Sequence, residues 1–195
     1  MSGLSRRKLM SGAVGTIAFA ALPAGAAFAQ QQRSSDTFTP GEIIDDGHKF
    51  FGTTSRDLAQ VVEAASKRWG RPNAYILGQE AAGAFFGGLR FGEGVMYTRN
   101  AGDQHIFWQG PSFGFDTGAD GDRTMMLVYN LPATEAIHQR FGGIDGSAYF
   151  VGGFGFTALS ANNIVVVPIR TGLGLRLGAN VGYLKFTPQA TWNPF

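Results

Sequence analysis

The chain has 195 residues, with 16 Lys+Arg against 14 Asp+Glu and no cysteine. The missing cysteines exclude a disulfide framework, so the fold rests on its apolar core. Beyond the first 29 residues no basic run or patch carries the electrostatic footprint of a nucleic-acid binder.

The first 29 residues read as an export signal. Ser5-Arg6-Arg7-Lys8-Leu9 is a basic leader, Met10 to Leu22 is small and apolar, and Ala27-Phe28-Ala29 is a small-x-small cleavage site with the cut expected after Ala29. The paired Arg6-Arg7 fits a twin-arginine signal as well as an ordinary one. The apolar run is too short for a stable bilayer span, and no later run approaches one. Removing the signal leaves 166 residues with thirteen bases and fourteen acids, so the apparent basicity belongs to the leader. That length suits one domain with a substantial core.

Residues 30–41 are expected to form a flexible tether, and 42–195 a single domain. Thr39-Pro40-Gly41-Glu42 has a capping-box pattern with proline at the first helical position. A short helix over Glu42 to Phe51 follows, with Gly47 against it. Thr54-Ser55-Arg56-Asp57 reads as a second capping box. Leu58, Val61, Val62, Ala65 and Trp69 then recur at helical spacing until Gly70 and Pro72 end the helix. This apolar stripe needs the mouth or flank of a sheet to cover. The mixed charges Arg56, Asp57, Glu63, Lys67 and Arg68 argue against a membrane-surface helix.

From Asn73 onward the pattern is strand. Expected segments are Ala74–Gln79, Ala84–Phe91, Gly94–Arg99, Gln104–Trp108, Ser112–Asp116, Thr124–Asn130, Ser147–Ala158, Asn163–Ile169 and Thr171–Thr187. Turn chemistry at Asn100-Ala101-Gly102-Asp103, Gly110-Pro111, Asp120-Gly121 and Asp145-Gly146 separates several of them, and Thr134 to Phe141 reads as a helical turn. Even spacing points to an antiparallel meander. In the last segment the alternation slips near Gly182, after which Leu184 and Phe186 take the apolar positions. Of the 29 glycines, 25 follow the leader, many beside aromatics. Such bent, glycine-rich strands suit closure. The expected fold is therefore mostly β: a small closed antiparallel β-barrel of about eight to ten strands, with one or two N-terminal helices.

Three motifs carry a family resemblance. They are Pro168-Ile169-Arg170-Thr171-Gly172-Leu173-Gly174-Leu175-Arg176-Leu177-Gly178-Ala179-Asn180 with Gly182 to Thr187, Phe107-Trp108-Gln109-Gly110-Pro111-Ser112-Phe113-Gly114-Phe115-Asp116, and Gly143 to Tyr149. With them the chain, from about Glu42 to Phe195, resembles a family of alphaproteobacterial exported proteins typified by the envelope integrity protein EipA. The resemblance implies a soluble periplasmic β-barrel linked to envelope stress resistance, and no catalytic residues. A pattern-level likeness to the SYLF lipid-binding domains lies in Gly83 to Gly94 and Gly110 to Phe115.

No catalytic constellation stands out. His48, His105 and His138 sit in separate segments without ligand spacing, and Ser112 has no partner base. Asp116, Asp120 and Asp122 fit a turn better than a calcium loop. No cofactor and no metal are expected. Arg90, Arg170 and Arg176 lie inside strands, where they either brace the barrel by pairing with a carboxylate such as Glu80 or Glu93, or hold an anionic head group. Arg90, Trp108, Arg170 and Arg176 are thus the candidate ligand-binding residues.

The sequence favours a non-enzymatic, monomeric periplasmic barrel supporting the cell envelope. Its expected partner is an envelope lipid, a glycan or a protein, not nucleic acid, and the barrel is not expected to be integral to a membrane. Two alternatives stay open. One is an eight-stranded outer-membrane barrel, which Phe195 favours and Pro194 opposes. The other is a lipid carrier with space inside, against which the 17 phenylalanines argue for a filled interior.

Overall fold

Thr39 starts the first helix as the sequence pattern requires. Its hydroxyl accepts from the Glu42 N–H at 3.3 Å, while the Glu42 carboxylate accepts from the Thr39 N–H at 2.8 Å. The fold is described by a computed structural model over residues 36–52, 55–83, 89–111, 122–151, 154–171, 182–191 and 193. The leader with Ala29, the segment Ser112–Asp116, Asp120 and Arg176 lie outside these residues.

Helix α1 spans Pro40–Phe51 and α2 spans Arg56–Trp69. Helix α1 begins at Pro40, two residues before its expected start, and Phe38 packs edge-on against Tyr75 at 4.9 Å. Residues 36–41, expected as tether, are thus held to the domain. The cap of α2 is Ser55, whose hydroxyl accepts from Asp57 and Leu58 N–H groups. Gly47 is buried where α1 crosses α2, and a Cβ there would come within 2.7 Å of Leu58. The glycine that lowers helix propensity is the one that lets the helices meet.

Eight antiparallel strands close a barrel: β1 (Ala74–Gly83), β2 (Leu89–Thr98), β3 (Gln104–Pro111), β4 (Asp122–Tyr129), β5 (Arg140–Val151), β6 (Phe154–Ala161), β7 (Ile164–Thr171) and β8 (Tyr183–Thr187). The order around the wall is β1-β2-β3-β8-β5-β6-β7-β4, with β4 returning to β1. This corrects the expected meander. Spatially, β4-β1-β2-β3 is one Greek key and β8-β5-β6-β7 is another, joined by the β3–β8 and β4–β7 pairings. Even strand spacing fits both arrangements, because pairing across the closure leaves no trace in local periodicity.

Boundaries differ locally. Strand β2 runs unbroken through Gly92 and Gly94, where two segments were expected. The expected Ser147–Ala158 strand is the end of β5 and most of β6. The helical turn is confined to a 3-10 helix at Thr134–Ile137, and β5 already begins at Arg140. Leu184 and Phe186 do turn inward.

Two apolar layers result. Ile76, Met96, Trp108, Met126, Phe141 and Phe186, with their neighbours, fill the barrel. Leu131 and Ile137 join them at the end where β4 leads to β5. The opposite faces of β1, β4 and β7, with Tyr75, Met125, Leu127, Tyr129, Val167 and Ile169, pack under Ile43, Leu58, Val61 and Val62 of the helices. The helical stripe therefore covers the flank of the barrel.

Glycine shapes the interior at one wall. Gly78 and Gly92 present bare backbone to the Trp108 indole, and Gly94 presents it to β1. A Cβ on Gly92 would lie 2.2 Å from the ring, and one on Gly94 2.3 Å from the Leu77 carbonyl. Backbone cannot yield as a flexible side chain does. Gly94→Ala is expected to destabilise the fold by about 2 kcal/mol or more, read from the urea midpoint. Thr39→Ala, which removes a cap without a clash, is expected to cost about 1 kcal/mol in the same assay.

Candidate functional site

Glu80 is the one acidic side chain among the described buried residues, 5% exposed. Strand alternation sends it inward with Ile76 and Gly78, toward the barrel end away from Leu131. An isolated carboxylate there would be very costly. Three neighbouring side chains compensate. Trp108 Nε1–H donates to Oε2 at 2.8 Å. The Arg170 guanidinium donates from Nε to Oε1 at 3.0 Å and from a terminal nitrogen to Oε2 at 3.1 Å. Arg90 donates to Oε1 at 3.2 Å, and its Nε–H to the Pro111 carbonyl at 3.0 Å. Burial pushes the Glu80 carboxyl up; Arg170, then Arg90, together with the hydrogen bonds from Arg170 and Trp108, outweigh it and hold the group below the ordinary range.

Three of the four candidate residues thus meet at one carboxylate. Arg90 and Arg170 form the brace, and Trp108 locks its geometry; Arg176 lies outside the described residues. Glu80, not either candidate arginine alone, organises the cluster. The signal for it was an acid at an inward strand position, in phase with Ile76 and Gly78.

The outer side of the same wall carries a groove of about 330 Å³. Gly92, with Glu80 and Trp108, whose side chains turn inward, forms its floor. Outward residues of β1, β2 and β3, chiefly Ala81, Phe91, Glu93, Phe107 and Gln109, form its walls, and Thr187, Ala190 and Thr191 close one side. The chain after β8 folds back here. Thr187 donates to the Gln189 carbonyl at 2.8 Å, and the Gln109 amide nitrogen donates to the Thr191 hydroxyl. Gln109 is 1% exposed, and its carbonyl oxygen has no hydrogen-bond partner. Sequence reading missed Gln109. Its signal was a polar residue sharing a strand face with Phe107, opposite Trp108.

The histidines stay apart. His48 Nε2 lies 3.0 Å from the Ser55 carbonyl, tying α1 to the cap of α2. His105 sits beside Phe107 on the outer wall, ring centres 4.8 Å apart, and His138 lies in the β4–β5 connection. Among the described residues no group of His, Asp and Glu is gathered as a metal site.

Residues 36–195 match the family model described as Envelope integrity protein A. A crystal structure of a beta-barrel-like, uncharacterized protein from Brucella abortus is 55% identical, covers 82% of this chain and 99% of that chain, and superposes with a TM-score of 0.76. No curated protein matches the chain.

Glu80→Gln removes the counter-charge from two partly buried guanidiniums. It is expected to cost about 3 kcal/mol in urea unfolding and to red-shift Trp108 emission. The wild-type pH profile follows the same logic. Since the folded carboxyl sits below its ordinary value, the unfolded chain takes up the proton first as pH falls. Stability is therefore expected to be flat above the ordinary carboxylate value of about 4.5 and to drop progressively below it, with the drop reduced in Glu80→Gln.

Proposed function

Since the chain belongs to the envelope integrity protein A family, we propose that it is a non-catalytic periplasmic barrel that supports the cell envelope by holding an envelope component in the groove over β1, β2 and β3. The observation that carries this reading is the groove itself: a concave, largely apolar site with a buried amide oxygen that lacks a donor.

In this reading Arg90 and Arg170 are structural. Their guanidiniums are engaged by Glu80, so the barrel wall behind the groove is rigid. Trp108 contributes the floor. Arg176 is assigned no role.

Two features support a barrel that works outside the bilayer. A membrane-spanning barrel needs a continuous apolar outer band. Here the outer faces of β1, β4 and β7 lie under α1 and α2, whose own outward positions include exposed Asp45, Lys49, Glu63 and Lys67. The uncovered wall carries Glu93, His105 and Arg140, all exposed. The filled interior argues against carriage of an acyl chain inside: Trp108, Phe141 and Phe186 occupy it, with Phe141 and Phe186 edge-to-face at 5.5 Å.

The test is a native mass spectrum of the chain taken from a detergent-free periplasmic fraction. The expected result is a soluble species, part of it heavier by one discrete non-covalent ligand. Recovery only from the membrane pellet would overturn the reading, as would hydrolysis of an envelope polymer abolished by a single substitution.

A further inference from the structure

The groove has a chemical bias. Among the described residues its charged lining is Glu80 and Glu93, with no basic residue. Glu80 is neutralised behind the wall by Arg90 and Arg170. That leaves to a ligand the exposed Glu93 carboxylate, the exposed Gln79 amide and the unpaired end of the buried Gln109 amide. The carboxylate only accepts hydrogen bonds, while each amide can both accept and donate. The Thr187 hydroxyl spends its proton on the Gln189 carbonyl, so it too is left as an acceptor. A phosphate or carboxylate would meet the like charge of Glu93 and no cation among the described lining residues, only the neutral amides of Gln79 and Gln109 and the hydroxyls of Thr187 and Thr191. An ammonium would lose its hydration against Ala81 and Phe107, while Glu93, being exposed, returns only a screened attraction. A ligand that brings many neutral donors along with an apolar C–H face meets both needs.

Resting on the binding function proposed above, we infer that the groove takes a neutral saccharide. Its hydroxyl or acetamido protons reach Gln109 and Glu93, and its ring lies against Phe107. The segment Thr187–Thr191 acts as a strap. Gln109 is buried beneath it, and its amide already holds Thr191. Either orientation of that amide leaves one end unpaired. Saccharide entry shifts Ala190 and Thr191 and gives the amide a full set of partners, which relieves the cost of a buried group without one.

The experiment is isothermal titration of the chain purified from the periplasm with chitotetraose, maltotetraose and, separately, glycerol 3-phosphate. The expected result is binding of at least one neutral sugar and no binding of glycerol 3-phosphate. Glu93→Gln, at an exposed position, is expected to weaken sugar binding severalfold, and Gln109→Leu about tenfold or more. Thr191→Val removes the competing hydroxyl and is expected to tighten sugar binding, which a merely structural Gln109 would not produce. Circular dichroism and the urea midpoint show that each variant is folded. Sugar affinity unchanged in Glu93→Gln and Gln109→Leu overturns the assignment. Binding of glycerol 3-phosphate without sugar overturns the saccharide inference and leaves the binding function standing. Failure of all three probes, with a native spectrum at the bare mass, overturns both.

Discussion

One buried carboxylate sets the terms for this barrel. Glu80 belongs to β1, and its partners come from β2 (Arg90), β3 (Trp108) and β7 (Arg170). The first three strands lie in one Greek key and the last in the other, so the cluster ties the two halves across β4. The arrangement is demanding because desolvation penalises the charge first and the donors must more than offset it. The indole must lie flat against the wall for its N–H to reach the carboxylate. Gly78, Gly92 and Gly94 leave the space for it, since a Cβ on Gly78 or Gly92 would meet the ring and one on Gly94 would meet the backbone of β1. The glycine richness of the chain is, at this wall, the negative image of one tryptophan.

The two faces of the wall then take different duties. On the inside, charge and aromatic packing lock strands together. On the outside, β1, β4 and β7 bury apolar side chains under α1 and α2, while β2 and β3 are left to the groove and to the strap after β8. Helix α1 is fastened from its start. Arg99, at the end of β2, stacks on Phe38 at 4.6 Å, donates to the Thr37 carbonyl and pairs with Glu42 of the cap. The same Glu42 completes the capping box, and its carboxyl is held at about 2, chiefly by the Thr39 N–H and then by Arg99. One side of the barrel is thereby sealed by helices and the neighbouring side stays open, which places the groove on the outer wall and not in the interior.

Local patterns were legible where a local rule produces them. The Thr39–Glu42 box, the α2 stripe and the inward phase of Leu184 and Phe186 each follow from spacing within a few residues. The residues at the Glu80 cluster were legible as types: arginines inside strands need a carboxylate, and Glu80 was among those named. Their meeting at one carboxylate was not legible, because it depends on β7 approaching β1 across β4. Gln109 was overlooked because a lone amide on an aromatic strand face has no periodic signature. Only the folding-back of Thr191 makes it a buried group lacking a partner.

The sequence by itself determined most of the helices and strands, the mostly β class with its flanking helices and the closure into a small barrel. These follow from side-chain size, polarity and the periods of helix and strand, which are properties of neighbouring residues. The tertiary structure alone decided the strand order, the sharing of one carboxylate among Trp108, Arg90 and Arg170, and the groove beside Thr187–Thr191. Each of these depends on contacts between residues far apart in the chain, such as Glu80 with Arg170 and Gln109 with Thr191. Such contacts are selected by the joint demands of closure and desolvation, which no short window of sequence contains.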